Sequence, residues 1–100
     1  MASVMAKIEA LQAVGAEKLV DQALAKVIQF EIERLQQEQR RLKAELAHFE
    51  KRYQMTSEEY QQKFDAGELG DAVEFFEWTS LSGIYQQNEH LLHLLEEKLV

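Results

Sequence analysis

The side chains most able to do chemistry in this 100-residue chain are three histidines and eighteen carboxylates. Glu45 and His48 have the Glu-x-x-His spacing that di-iron helical bundles use, in which both side chains project inward from one helix. Such a site needs two of these motifs and two further glutamates. The last segment offers His90 and His93 but no second Glu-x-x-His. The sequence therefore predicts surface histidines and no metal site.

Nucleophilic catalysis has equally little support. Ser80 or Ser82 could be paired with His90 on paper, but nothing resembles a nucleophile elbow, and a helical hairpin offers no oxyanion loop. Gly67 and Gly70 are not followed by the Gly-Lys-Ser/Thr of a phosphate-binding loop. The chain has no cysteine, which excludes disulfides and thiolate chemistry. We expect a protein that is not an enzyme and has no cofactor.

The charge balance points to a protein partner. The formal net charge is −7, which disfavours direct binding to a nucleic acid. Basic residues gather only between Arg34 and Arg52, where acidic residues interleave with them, as on a solvated helix face. No run approaches the roughly 18 apolar residues that a membrane helix requires, and the first twenty residues do not resemble a signal peptide. We expect a cytoplasmic protein that binds neither membrane nor nucleic acid directly and that suits a basic protein partner.

The elements that position these side chains are helical. Residues 16–54 contain no glycine and no proline, and their apolar residues alternate in steps of three and four, as in a coiled coil. A helix of this length runs roughly 57 Å, whereas a compact domain of 100 residues has a radius of gyration of about 13 Å. Either the helix protrudes or a second copy packs beside it. We expect a homodimer, with Gln39 helping to set the register. The predicted interface residues are Ile28, Ile32, Leu35, Gln39, Leu42 and Leu46.

Two start signals follow the long helix. Thr56 and Glu59 match a capping box, and Asp71 with Glu74 repeats the same pattern. Gly67 between them is typical of a left-handed helix end. No segment shows the alternation or the turn dipeptides of strands. We therefore predict an all-α fold: a long antiparallel helical hairpin with a short connecting helix and coiled-coil-like packing. It forms one domain, 1–100, with a short N-terminal helix in 1–15, a long helix in 16–54, a short helix and elbow in 55–71, and a long C-terminal helix in 72–100. Gly15 either ends the first helix, which we favour, or kinks it.

The elbow is the candidate binding region. Its acids, with the only tryptophan beside them, would form a partner-binding edge made of Glu68, Asp71, Glu74, Glu77 and Trp78. In the alternative interpretation, the elbow only positions the last helix on the long one, and Trp78 packs in the core. Tryptophan is common both in cores and as an anchor at protein interfaces, so the sequence leaves both interpretations open.

A family resemblance rests on the stretch from Phe49 to Tyr85. It contains Met-Thr-Ser-Glu-Glu-Tyr at 55–60, Gly-Glu-Leu-Gly-Asp at 67–71 and Phe-Phe-Glu-Trp at 75–78. In these motifs the chain resembles a group of small prokaryotic helical proteins that are similar to antitoxins of TumE-type toxin–antitoxin systems. Ala72 stands where many relatives have a second acid, and the first 45 residues lie outside the resemblance.

Two functions follow as hypotheses. The resemblance implies a helical antitoxin-like protein that neutralises a basic toxin by covering its active surface. The long heptad pattern alone favours a structural coiled-coil dimer with no toxin partner. A helical metalloenzyme is a third possibility, and it would require iron or manganese in the purified protein.

Overall fold

The computed structural model describes residues 1–100 and contains only helices and their connections. They are α1 (Val4–Ala13), α2 (Glu17–Tyr53), α3 (Ser57–Asp65) and α4 (Val73–Glu96), and a single 3-10 turn, Glu97–Leu99, follows α4. Helix α2 packs along α4 as an antiparallel hairpin, and α3 lies at the bend. The predicted all-α class and hairpin are confirmed. None of the helices is long and apolar enough to cross a membrane.

The first two helices are separated at Gly15, as predicted. Ser3 begins α1, because its hydroxyl accepts a hydrogen bond from the backbone N–H of Ala6 at 3.1 Å. Gly15 has φ +82°, a conformation that residues with a Cβ rarely adopt. The N–H of Ala16 turns back to the carbonyl of Leu11 at 2.9 Å. The chain therefore changes direction before α2 begins.

The heptad stripe of α2 packs against the same chain. Leu46 and Phe49 join Tyr60 of α3 and two aromatic residues of α4 in one apolar cluster. Ile32 and Leu35 form a second cluster with Leu92. The predicted dimer interface is corrected accordingly, because α4 already covers most of it. Ile28 is half-buried against the second cluster, and the other five are buried within the single chain: Ile32, Leu35, Gln39, Leu42 and Leu46.

A polar layer separates the two clusters. Gln39, Ser82 and Asn88 are all buried in it. The Gln39 side chain donates from Nε2 to the backbone carbonyl of Tyr85 at 3.0 Å and to Oε1 of Glu89 at 2.9 Å. Three buried atoms of the layer have no hydrogen-bond partner: Gln39 Oε1, Ser82 Oγ and Asn88 Nδ2. Gln39 thus links α2 to α4 inside the hairpin. If Gln39 helps to set a helix register, that register is the pairing of α2 with α4 in the same chain.

The molecule is a rod, because α2 is longer than α4. Its principal extents are 62 × 24 × 20 Å and its radius of gyration is 20.0 Å, against about 13 Å for a compact domain of this size. Apart from Val20, the buried residues of α2 begin at Ile32, and α1 contains no buried residue. Of the two predicted possibilities, protrusion of the long helix is observed in the single chain.

Candidate functional site: an acidic elbow and its groove

The negative charge of the chain is concentrated at one end of the rod. Residues 57–77 contain seven carboxylates and one lysine, which gives −6 of the total charge of −7. Residues 17–53 contain seven carboxylates and eight lysines or arginines, which gives +1. We call residues 57–77 the acidic elbow: they comprise α3, the connection after it and the first turn of α4.

Local signals in the sequence build the first half of the elbow. The Thr56 hydroxyl accepts from the backbone N–H of Glu59, and the Glu59 carboxylate accepts from the backbone N–H of Thr56. This is the capping box that the sequence predicts. Gly67 has φ +73°, also as predicted, and lets the N–H of Glu68 reach the carbonyl of Lys63 at 3.0 Å. The exposed Glu68 is therefore held on an ordered turn.

The second half of the elbow differs from the prediction. Helix α4 begins after Ala72, and no side chain caps it, so Asp71 is exposed and is not the cap. Glu74 does not complete a capping box. Its carboxylate accepts instead from Arg52 at 2.7 Å and from the hydroxyl of Tyr53. That hydrogen bond raises the pKa of Tyr53 above its ordinary value. A tertiary contact with the end of α2 thus replaces the local capping interaction that the sequence predicts.

Trp78 lies in the core and is not a surface anchor. Its side chain is fully buried and stacks on Tyr60, with ring centroids 3.9 Å apart, and on Phe49 at 5.6 Å. Its indole N–H donates to the Ser57 hydroxyl at 2.8 Å. The structure therefore supports the core interpretation of Trp78. The members of the predicted edge that face solvent freely are Glu68, Asp71 and Glu77.

Tyr60 fastens α3 to α4 beneath the elbow. Its ring is fully buried, and its hydroxyl donates to the backbone carbonyl of Phe75 and bonds to the Thr79 hydroxyl at 2.7 Å. Burial raises the pKa of Tyr60 above its ordinary value, because the ionised form would lose its hydration. The short helix is thereby fixed rigidly, and with it the acids that it displays.

A polar groove opens beside the elbow, where α2, α3 and α4 meet. Its volume is about 520 Å³, within the range of ligand sites. Glu50, Glu58 and Glu89 contribute carboxylates, and Lys43 is the one cation. The remaining lining residues are Leu46, Thr56, Ser57, Gln61, Ser82, Tyr85 and Gln86. The groove is therefore lined mainly by polar residues and has a net negative charge, although the carbon atoms of these residues provide most of its surface.

Hydrogen bonds hold two of these carboxylates in place. Glu50 accepts from the backbone N–H of Ser57 at 2.7 Å through one oxygen, and Glu89 accepts from Gln39 through one oxygen. Ser82 also lines the groove, but its hydroxyl oxygen is shielded from solvent and has no hydrogen-bond partner. Each of the two fixed carboxylates is suited to the ammonium or guanidinium group of a lysine or arginine side chain.

The groove was not predicted from the sequence, because its residues come from three distant segments. Only one signal pointed to it: polar residues at positions of α4 that face α2, of which Ser82 and Asn88 are buried. Glu45 and His48, the candidate metal pair, do not converge on other ligands. Glu45 is bonded to Arg41 at 3.1 Å, and no group of three or more His, Asp or Glu side chains is arranged to hold a metal ion.

Comparisons with known proteins add no family to this geometry. No protein family, no curated protein and no solved structure matches the chain. The functional interpretation therefore depends on the charges and contacts described above.

Proposed function

We propose that this chain is a non-catalytic protein-binding module that captures a basic protein on its acidic elbow, in an antitoxin-like neutralising role. The observation that supports it is the charge segregation: residues 57–77 hold −6 of the net charge of −7. A concentrated field of one sign at one end of a rod attracts a partner of opposite charge and orients it before contact.

The groove supplies the short-range part of the proposed recognition. The exposed Glu68, Asp71 and Glu77 would steer the partner, whereas Glu50 and Glu89 would each receive a basic side chain. These two carboxylates are already held by hydrogen bonds, so little side-chain entropy is lost when they bind. The neutralising role is the one that the sequence motifs of residues 49–85 imply through their resemblance to antitoxin-like proteins, and the comparisons with known proteins add nothing to it.

Neutralising the elbow tests the proposal. The variant E68Q/D71N/E77Q removes three exposed charges, and the control E9Q/D21N/E33Q removes three exposed charges from α1 and α2. An exposed ion pair contributes about 0.2–1 kcal/mol, so three pairs predict roughly a tenfold loss of affinity. The probe is the basic protein that wild type retains from its native host, identified by mass spectrometry, purified and titrated by calorimetry at low and high salt.

We expect the elbow variant to bind more weakly and with a shallower salt dependence, and the control to bind much as wild type does. Equal affinities of the two variants would refute the acidic-elbow proposal. Retention of no basic protein would favour the second candidate, a structural coiled-coil dimer with no toxin partner, which the rod shape supports. Unchanged thermal melts of both variants serve as the folding control.

A further inference from the structure

The end of the rod opposite the acidic elbow exposes apolar side chains. We call residues 1–30, which comprise α1 and the protruding turns of α2, the apolar arm. Phe30 is 73% exposed, Leu19 is 64% exposed and Val27 is 62% exposed. The other large apolar residues exposed on the arm, apart from Met1, are Val4, Met5, Leu11, Val14 and Leu24.

Three of these side chains lie on a side of α2 that α4 does not cover. Leu19, Val27 and Phe30 are spaced by eight and three residues, so they share one side of the helix. Ile32 and Leu35, which face α4, lie on another side and are buried.

The exposed area is large enough for a stable interface. At roughly 100 Å² for each apolar side chain, the eight residues together expose on the order of 800 Å², summed over α1 and α2, which is comparable with one partner's share of an interface of standard size. The two helices of the arm together thus expose about as much apolar surface as one side of a protein–protein interface buries.

The charges of the arm favour a second copy of the chain over a basic partner. Its charged side chains are three lysines and three carboxylates, so their formal sum is zero. Two copies of the arm can therefore approach without net repulsion, whereas two acidic elbows, each at −6, repel one another. A basic partner would find no electrostatic attraction on the arm.

We propose that the apolar arm is the docking surface for a second copy of this chain. The two copies associate about a twofold axis through their arms, and the repulsion between the elbows places these at opposite ends of the dimer. Each dimer then presents two separate acidic elbows. The predicted homodimer is retained in this proposal, but its interface moves from the buried heptad stripe to Leu19, Val27 and Phe30. The proposal stands independently of what the elbow binds.

The sequence provides a matched pair of variants. V27E/F30E places two carboxylates on the arm, and V73E/F76E makes the same two changes at exposed positions in the first turn of α4. Mass is measured by sedimentation equilibrium at micromolar concentration, and helix content by circular dichroism. We expect wild type and V73E/F76E to have twice the mass of one chain, and V27E/F30E to have the mass of one chain with unchanged helix content.

A second measurement covers the possibility that the double variant unfolds. The chain has no cysteine, so F30C and V73C each carry a single thiol. Under mild oxidation, F30C should form a disulfide-linked dimer rapidly, whereas V73C should form no disulfide link between chains. A monomeric wild type, a dimer that survives V27E/F30E, or equal cross-linking of F30C and V73C would each overturn the proposal.

Discussion

Replacing Tyr60 with phenylalanine isolates the hydroxyl that fastens α3 to α4. Tyr60→Phe keeps the ring, which stacks on Trp78 at 3.9 Å, and removes two hydrogen bonds, to the Phe75 carbonyl and the Thr79 hydroxyl. Tyr60 is fully buried and Thr79 is half-buried, so water can replace the lost hydroxyl only at Thr79. The change therefore measures the polar attachment of the short helix and leaves its apolar packing intact.

The size of the effect follows from these two bonds. Each contributes a net amount of about 0.5–1.5 kcal/mol, which sets an upper limit of about 3 kcal/mol for the pair. The Phe75 carbonyl belongs to helix α4 and keeps a helical partner, so we expect a loss of about 1–2 kcal/mol. For a domain of this size, that loss lowers the Tm by about 4–16 °C.

Urea unfolding followed by circular dichroism gives the free energy directly. The control is Tyr85→Phe, because Tyr85 is half-buried and its hydroxyl has no side-chain hydrogen bond in the structure. We expect this control to change stability by less than about 0.5 kcal/mol. A loss no larger for Tyr60→Phe than for the control would refute the inference that the hydroxyl stabilises the junction of α3 and α4.

Three further predictions concern the same end of the molecule. Thr56→Ala should lower the free energy of unfolding by about 0.5–2 kcal/mol because it removes a helix cap. Asp71→Ala should change it by less than about 0.5 kcal/mol because Asp71 caps no helix. Equal losses in urea unfolding would show that Asp71 does cap α4. Gly67→Ala should lower the free energy of unfolding by about 1 kcal/mol or more because Gly67 has a positive φ. Gly83 lies in the interior of α4, where an added Cβ meets open space, so Gly83→Ala should raise the free energy of unfolding by up to about 1 kcal/mol. Thermal melts in which both variants change the Tm in the same direction would contradict this prediction. Burial raises the pKa of Tyr60, so this tyrosine ionises at a lower pH in the unfolded state than in the folded state. The stability that Tyr60 contributes is therefore constant below the ordinary tyrosine pKa near 10 and is lost as the pH rises above it. If the Tm declines between about pH 9 and 11 equally steeply in wild type and in Tyr60→Phe, ionisation of Tyr60 is not the cause.

The helices were predictable because their signals are local. Ser3, Thr56 with Glu59, Gly15 and Gly67 act within three or four residues of their own position, and such interactions survive in any tertiary arrangement. The prediction that Asp71 caps α4 was wrong because a distant part of the chain intervenes. The capping pattern is present in the sequence, but Arg52 and Tyr53 from another helix bind Glu74, and no local pattern reveals that contact.

The partner of the long helix was not predictable from its periodicity. A heptad stripe records that one side of a helix is covered, and it does not distinguish a neighbour in the same chain from a second copy. The stripe from Ile32 to Phe49 is covered by α3 and α4. The groove was hidden for a related reason, since Lys43, Glu58 and Glu89 are brought together only after three helices have packed.

The polar layer across the hairpin has a consequence for how the molecule opens. The cluster of Leu46, Phe49, Tyr60, Phe75 and Trp78 is broad and aromatic, whereas the cluster beyond the layer contains only Ile32, Leu35 and Leu92 as buried members. Cooperative unfolding depends on contiguous apolar contact, and the layer interrupts it. The last turns of α4 should therefore detach as a separate unit at lower free energy than the rest. Their amide hydrogens would exchange with solvent while those of the bend remain protected.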